Sequence, residues 1–99
     1  MNVVYSIDEM KDILFPVFTQ YNIKKAVLFG SYGKCTATSA SDVDLFVDSG
    51  LRGLKFIDFS ETLHRVLDKE VDVLDTTHIE PDSLVAKEIA RTGVVVYEK

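Results

Sequence analysis

Two aspartates separated by a single residue, Asp42 and Asp44, are the side chains of this sequence best suited to chemistry. They open the alternating stretch DVDLFVD, which predicts a β-strand over residues 42–48. Residues two apart on a strand point to the same face, about 6.6 Å apart at roughly 3.3 Å per residue. Carboxylates so placed could share one or two Mg²⁺ or Mn²⁺ ions. An isolated pair of this kind more often belongs to the solvated face of an amphipathic strand. Other residues must therefore decide between a metal site and a solvated face.

A second candidate feature is the Gly30-Ser31 turn, which directly follows a predicted strand over residues 24–29. Glycine lets the backbone come close to a ligand, and successive N–H groups in a turn can bind an anion together with the Ser31 hydroxyl. Alone, such a turn is mostly structural. Here the possible phosphate donors follow one strand and the possible metal ligands begin the next. Both sets could therefore bind the same triphosphate.

Asp72 is the third acid of interest. It lies in a predicted strand over residues 70–75, between Val71 and Val73, which are expected to enter the core. If this strand neighbours that of Asp44, Asp72 adds a carboxylate on the same face. Asp75 points the other way by strand parity.

The remaining pattern predicts the elements that position these residues. A capping box at Ser6 and Glu9 starts a helix, which Pro16 should kink or end early. Further helices are predicted over 53–67 and from Pro81 to about residue 92, followed by a strand over 94–97. The apolar residues expected to pack are Ile7, Met10, Ile13, Leu14, Val17, Phe18 and Tyr21 in the first helix and Leu54, Ile57, Leu63, Val66 and Leu67 in the second. The order α-β-β-α-β-α-β predicts one α/β (α+β) domain over residues 1–99, a small mixed sheet flanked by helices.

Composition narrows the function classes. The net charge is −5, and the eleven Lys and Arg residues are scattered, so direct nucleic-acid binding is not expected. An acidic protein that handles polyphosphate needs a cation between the two sets of charge. One cysteine excludes a disulfide within the chain. With neither a signal peptide nor an apolar run near 20 residues, we expect a cytoplasmic protein without membrane contact.

The motifs together resemble those of a known superfamily. Gly30-Ser31, ten intervening residues, Asp42-Val43-Asp44 and a later strand with Asp72 are similar to the nucleotidyltransferases that include DNA polymerase beta and the kanamycin nucleotidyltransferases. The length and the VVVY ending resemble more closely the minimal nucleotidyltransferases (MNT) of prokaryotes. One departure is Cys35, which stands where members often carry a second glycine; Gly33 lies two residues earlier.

This resemblance implies the nucleotidyltransferase fold and a set of roles. Gly30 and Ser31 would hold the triphosphate, Asp42 and Asp44 would bind Mg²⁺, and Asp72 would help hold a second ion or activate the acceptor hydroxyl. The reaction would move AMP from ATP, or the equivalent from another nucleoside triphosphate. The acceptor would be a hydroxyl, often a tyrosine of a HEPN-domain toxin, and this protein would be its antitoxin.

The sequence leaves alternatives open. A binding module with a vestigial site could neutralise its partner by contact alone, and labelled ATP would separate the two functions. An antibiotic-modifying enzyme is the weaker reading, because such enzymes need a second domain to hold the drug. A homo-oligomer is possible. No motif in the sequence identifies the acceptor or the preferred base of the nucleotide.

Overall fold

The computed structural model describes residues 4–34 and 36–99, so Cys35, the departure from the family pattern, lies outside the described residues. The bounds of the elements, in chain order, are α1 Ile7–Gln20, β1 Lys25–Phe29, α2 Gly30–Gly33, β2 Val43–Asp48, α3 Leu54–Leu67, β3 Val71–Asp75, a 3₁₀ turn Thr76–His78, α4 Leu84–Thr92 and β4 Val94–Glu98. The predicted alternation is confirmed, with the one-turn helix α2 and the 3₁₀ turn added to it. None of the helices in the described part is both long and apolar enough to cross a membrane.

The four strands form one mixed sheet in the order β3-β2-β1-β4. Strand β1 is antiparallel to both β2 and β4, whereas β2 and β3 are parallel. Parallel neighbours need a crossover connection, which α3 provides. As a result the end of β1 and the beginnings of β2 and β3 all lie at the same end of the sheet.

Helices α1 and α3 pack together, and α1 also contacts β4 while α3 contacts β3. The capping box is present, since Ser6 Oγ accepts from the Glu9 N–H and the Glu9 carboxylate accepts from the Ser6 N–H. The expectation that Pro16 ends this helix early is wrong, because α1 continues to Gln20. Pro16 is exposed, and so is Asp12, whose carbonyl the missing N–H would have reached. Water can therefore satisfy that carbonyl.

The predicted packing face of α3 is partly wrong. Leu63 and Leu67 are fully buried with Phe59, and their spacing of four defines one stripe along the helix. The Phe59 ring lies 6.2 Å from that of Phe18 on α1, which orients the stripe. Three residues expected to pack lie off the stripe and are exposed: Leu54, Ile57 and Val66.

Asp75 at the end of β3 is a buried structural acid that points away from Asp72, as parity predicted. Its carboxylate accepts hydrogen bonds from the Ser49 N–H at 3.0 Å and hydroxyl at 2.6 Å, and from the Thr77 hydroxyl at 3.1 Å. Burial pushes the pKa of Asp75 upward, but these hydrogen bonds outweigh it and hold the pKa below its usual value. Through these hydrogen bonds, the charged carboxylate of Asp75 links the loop after β2 to the turn after β3.

We predict that Asp75→Asn lowers the free energy of unfolding by about 2 kcal/mol at pH 7, because charge-assisted hydrogen bonds to a buried acceptor are lost. A depressed pKa stabilises the fold above the unfolded-state pKa, and that stabilisation is lost as pH falls through the folded-state pKa. The deficit of the variant should therefore shrink between pH 7 and pH 3 in urea unfolding. A Ser49→Ala, Asp75→Asn double-mutant cycle should show coupling; a deficit independent of pH would contradict the account.

Candidate active site

The predicted acids on β2 and β3 meet because these strands are parallel neighbours. Asp44 and Asp72 are direct register partners, and neighbouring strands are about 4.8 Å apart. On its other side Asp44 pairs with Phe29, the residue before Gly30. The condition that the strand of Asp72 neighbours that of Asp44 is therefore met, and the Gly30-Ser31 turn begins next to the same acids.

The surroundings of Asp44 raise the pKa of its carboxyl group. Burial is the largest cause that raises its pKa, to about 6, followed by the charge and hydrogen bonding of Asp72 and then by the charges of Asp42 and Glu88. The charged form of Asp44 is thus disfavoured in the protein alone. A bound cation would reverse that preference, so the carboxylates Asp44 and Asp72 fit a divalent ion chemically.

Asp42 differs in position from the expectation. Strand β2 begins at Val43, so Asp42 lies just before the strand and is exposed. Across residues 4–34 and 36–99, no three His, Cys, Asp or Glu side chains are already grouped so that they could hold a metal ion. This does not argue against Mg²⁺, which commonly takes one or two protein carboxylates with waters and substrate phosphates.

Gly30 is favoured at its position by a positive φ and by the nearby carboxylate of Asp44. Its φ is +70°, and a Cβ there would lie 2.5 Å from Asp44 Oδ2. The Gly30 N–H donates to Thr92 Oγ1 at 3.1 Å, so this donor is already used within the protein. Ser31 follows in α2, half-buried, and its carbonyl accepts from the Thr36 N–H at 2.9 Å. Gly30 would therefore serve a bound phosphate mainly by lacking a side chain, which leaves room for the ligand beside Asp44.

Sequence reasoning missed three residues around this turn. Thr92 contacts it directly, Glu88 adds negative charge near Asp44, and Lys34 Nζ lies 3.8 Å from Glu88 Oε1. Glu88 and Thr92 are four apart and share a face of α4, which is the signal that could have found them. The basic residues Lys87 and Arg91, also four apart on α4, are both exposed.

Replacing Gly30 by alanine should destabilise the protein more than the same change at Gly50. The two glycines have nearly equal φ, +70° and +69°, but a Cβ at Gly50 would meet nothing within 4 Å. The comparison therefore controls for the positive φ, and the difference reports the contact with Asp44. We expect Gly30→Ala to cost about 1–3 kcal/mol beyond Gly50→Ala in chemical denaturation. Equal costs would contradict the close approach.

Asp44→Asn should stabilise the protein in the presence of a chelator at pH 7–8. A raised folded-state pKa gives stability that is complete below the usual value near 3.8 and is lost as pH rises through about 6. Asparagine mimics the uncharged form and escapes this loss. Thermal unfolding should show a melting temperature a few degrees above wild type at pH 8 and a difference that narrows toward pH 4. A variant less stable than wild type at pH 8 would contradict the repulsion.

Comparisons with known proteins agree with this geometry. A family model described as "Polymerase beta, Nucleotidyltransferase" matches residues 13–99, a range that includes all the predicted site residues. A curated relative from Methanocaldococcus jannaschii, named "Putative protein adenylyltransferase MJ0435", is 35% identical over 79 residues, covering 77% of this chain and 84% of the relative.

Solved structures with the same fold come from toxin–antitoxin complexes. One, a complex with AMP-PNP, matches with a TM-score of 0.75 at 19% identity over 90% of this chain and 73% of the other. Another, a tri-AMPylated Shewanella oneidensis HEPN toxin in complex with its MNT antitoxin, matches with a TM-score of 0.71 at 16% identity over 94% and 73%. At these identities the likeness establishes the fold. Since the family model spans nearly all of the sequence, the chain belongs to the polymerase beta-type nucleotidyltransferase family.

Proposed function

We propose that this protein is a metal-dependent protein adenylyltransferase that moves AMP from ATP to a hydroxyl of a HEPN-domain partner and so acts as its antitoxin. The observation that carries the proposal is the register pairing of Asp44 with Asp72 beside Gly30. The family membership supports a nucleotidyl transfer. The relative named as a protein adenylyltransferase supports AMP as the group transferred, and the AMPylated HEPN toxin of the structural neighbour supports the acceptor.

The residues fit a divalent cation because they offer hard carboxylate oxygens whose charges repel one another. Asp44 and Asp72 would hold Mg²⁺, or Mn²⁺, with Asp42 completing the set for two ions. The ions would neutralise charge on the triphosphate and favour ionisation of the attacking hydroxyl. The protein's own contribution is to keep these carboxylates close together while the Gly30 backbone leaves room for the nucleotide beside Asp44.

The transfer is an in-line displacement at the α-phosphorus of ATP. The acceptor oxygen forms a bond to that phosphorus as the bond to the bridging oxygen breaks, and pyrophosphate departs. Asp72 is exposed and stands beside Asp44, so it can take the hydroxyl proton of an acceptor that arrives from solvent. Ser31 donates to the triphosphate and fixes its orientation.

The direct test uses ATP labelled at the α-phosphate, Mg²⁺ and a HEPN-domain protein as the candidate acceptor. We expect label on the partner. Asp42→Asn, Asp44→Asn and Asp72→Asn should each reduce transfer by at least about 100-fold, because even the loss of a residue that only orients a metal ligand costs about 10–100-fold. Asp48→Asn is the matched control: it lies on the same strand and face as Asp44 but roughly 13 Å along it, and should leave transfer unchanged.

Two outcomes would overturn the proposal in different ways. A tight complex without label, under conditions in which the nucleotide binds, would indicate a module that neutralises its partner by contact. Label retained at the wild-type rate by Asp44→Asn or Asp72→Asn would show that transfer does not use this carboxylate pair. Omission of Mg²⁺ with added chelator should abolish labelling, which tests the metal requirement separately.

A further inference from the structure

Thr92, the last residue of α4, makes two hydrogen bonds with one hydroxyl. Thr92 Oγ1 accepts from the Gly30 N–H at 3.1 Å and donates to the Glu88 carbonyl at 2.8 Å. The side chain is almost fully buried, with 8% of the residue exposed. The bond to Glu88 fixes the direction of the hydroxyl hydrogen and leaves a lone pair aimed at Gly30.

The backbone of Thr92 meets the same turn at a second point. A Cβ on Gly33 would lie 2.3 Å from the Thr92 carbonyl oxygen, so α2 packs against Thr92 with no room for a side chain. Gly30 and Gly33 are the first and last residues of α2. One residue of α4 therefore contacts both ends of the turn that carries Ser31.

Gly30 also lies close to Asp44, as the position of its absent Cβ shows. The same residue thus contacts the hydroxyl of Thr92 through its N–H and approaches the carboxylate of Asp44 at its Cα. A small shift of the Gly30 backbone would move the N–H and the hydroxyl of Ser31 relative to Asp44. In a site whose catalysis depends on placement, such shifts are costly.

We propose that Thr92 is a positioning residue for nucleotide use, which holds the Gly30-Ser31 turn at a fixed distance from Asp44 without touching the nucleotide. This inference rests on the proposed function. It predicts that the hydroxyl of Thr92, rather than its bulk, is needed for the nucleotide to bind and react. Thr92→Ser keeps the hydroxyl, whereas Thr92→Val keeps the shape and leaves the part-buried Gly30 N–H without its acceptor.

The chain contains a matched control in Thr62 of α3. Thr62 is also buried, with 9% exposed, and its hydroxyl donates to the Asp58 carbonyl four residues earlier at 2.9 Å, as Thr92 does to Glu88. Its other partners, Tyr21 and Arg65, belong to the α1–α3 layer and not to the turn. Thr62→Val therefore removes a comparable set of hydrogen bonds far from the Gly30-Ser31 turn.

The experiment compares wild type with Thr92→Val, Thr92→Ser and Thr62→Val in three measurements: melting temperature, ATP affinity with Mg²⁺ by titration without partner, and KM and kcat for labelling the partner. We expect both valine variants to melt at similarly reduced temperatures. Only Thr92→Val should weaken ATP binding and raise KM, by about tenfold, with a smaller effect on kcat. Thr92→Ser should recover most of the loss.

The results separate this inference from the function on which it rests. If wild type neither binds ATP nor labels the partner, the proposed function fails. If wild type does both and Thr92→Val matches Thr62→Val in affinity and KM, Thr92 is only structural and the inference is overturned. Failure of Thr92→Ser to restore affinity would overturn it as well, because the hydroxyl would then not be the required group.

Discussion

Two carboxylates on neighbouring parallel strands repel each other, and the sheet holds the backbones of Asp44 and Asp72 in one register pair. Hydrophobic packing on the α1–α3 side opposes this repulsion, because Val43 and Leu45, the neighbours of Asp44 along β2, are fully buried. The fold therefore contains an unfavourable interaction at the place where the proposed cation would bind and relieve it. In a small domain such relief adds to stability by mass action, so ligand binding and folding are thermodynamically linked.

The mixed topology of the sheet is what makes this arrangement possible. An antiparallel β1–β2 pair turns the chain so that the residue after β1 lies beside the start of β2, which sets Gly30 against Asp44. A parallel β2–β3 pair then brings the start of the next strand to the same end, which adds Asp72. With β3 antiparallel to β2, Asp72 would lie at the opposite end of the sheet from the turn. Both kinds of pairing are needed for the three features to meet.

The local parts of this site could be read from the sequence, and the non-local parts could not. The alternation in DVDLFVD and the glycine after β1 predict the strand face and the turn because both depend on neighbours along the chain. The pairing of Asp72 with Asp44 depends on the order of strands in the sheet, and the pattern of residues along the chain does not determine that order. Asp42 was placed on the strand because boundaries vary by a residue or two. Leu54 and Ile57 were assigned to the core because apolar character alone does not say which helix face packs.

The contact between Gly30 and Thr92 joins residues 62 positions apart, and β4, which follows Thr92, pairs with the centrally placed β1. A polypeptide emerging from the ribosome has the acids and the glycine–serine turn long before it has the helix that anchors them. The contact that anchors the turn can form only after α4 has been synthesised. Contacts of such long sequence separation also slow folding. A nascent chain of this protein consequently lacks the complete candidate site until residue 92 has been synthesised.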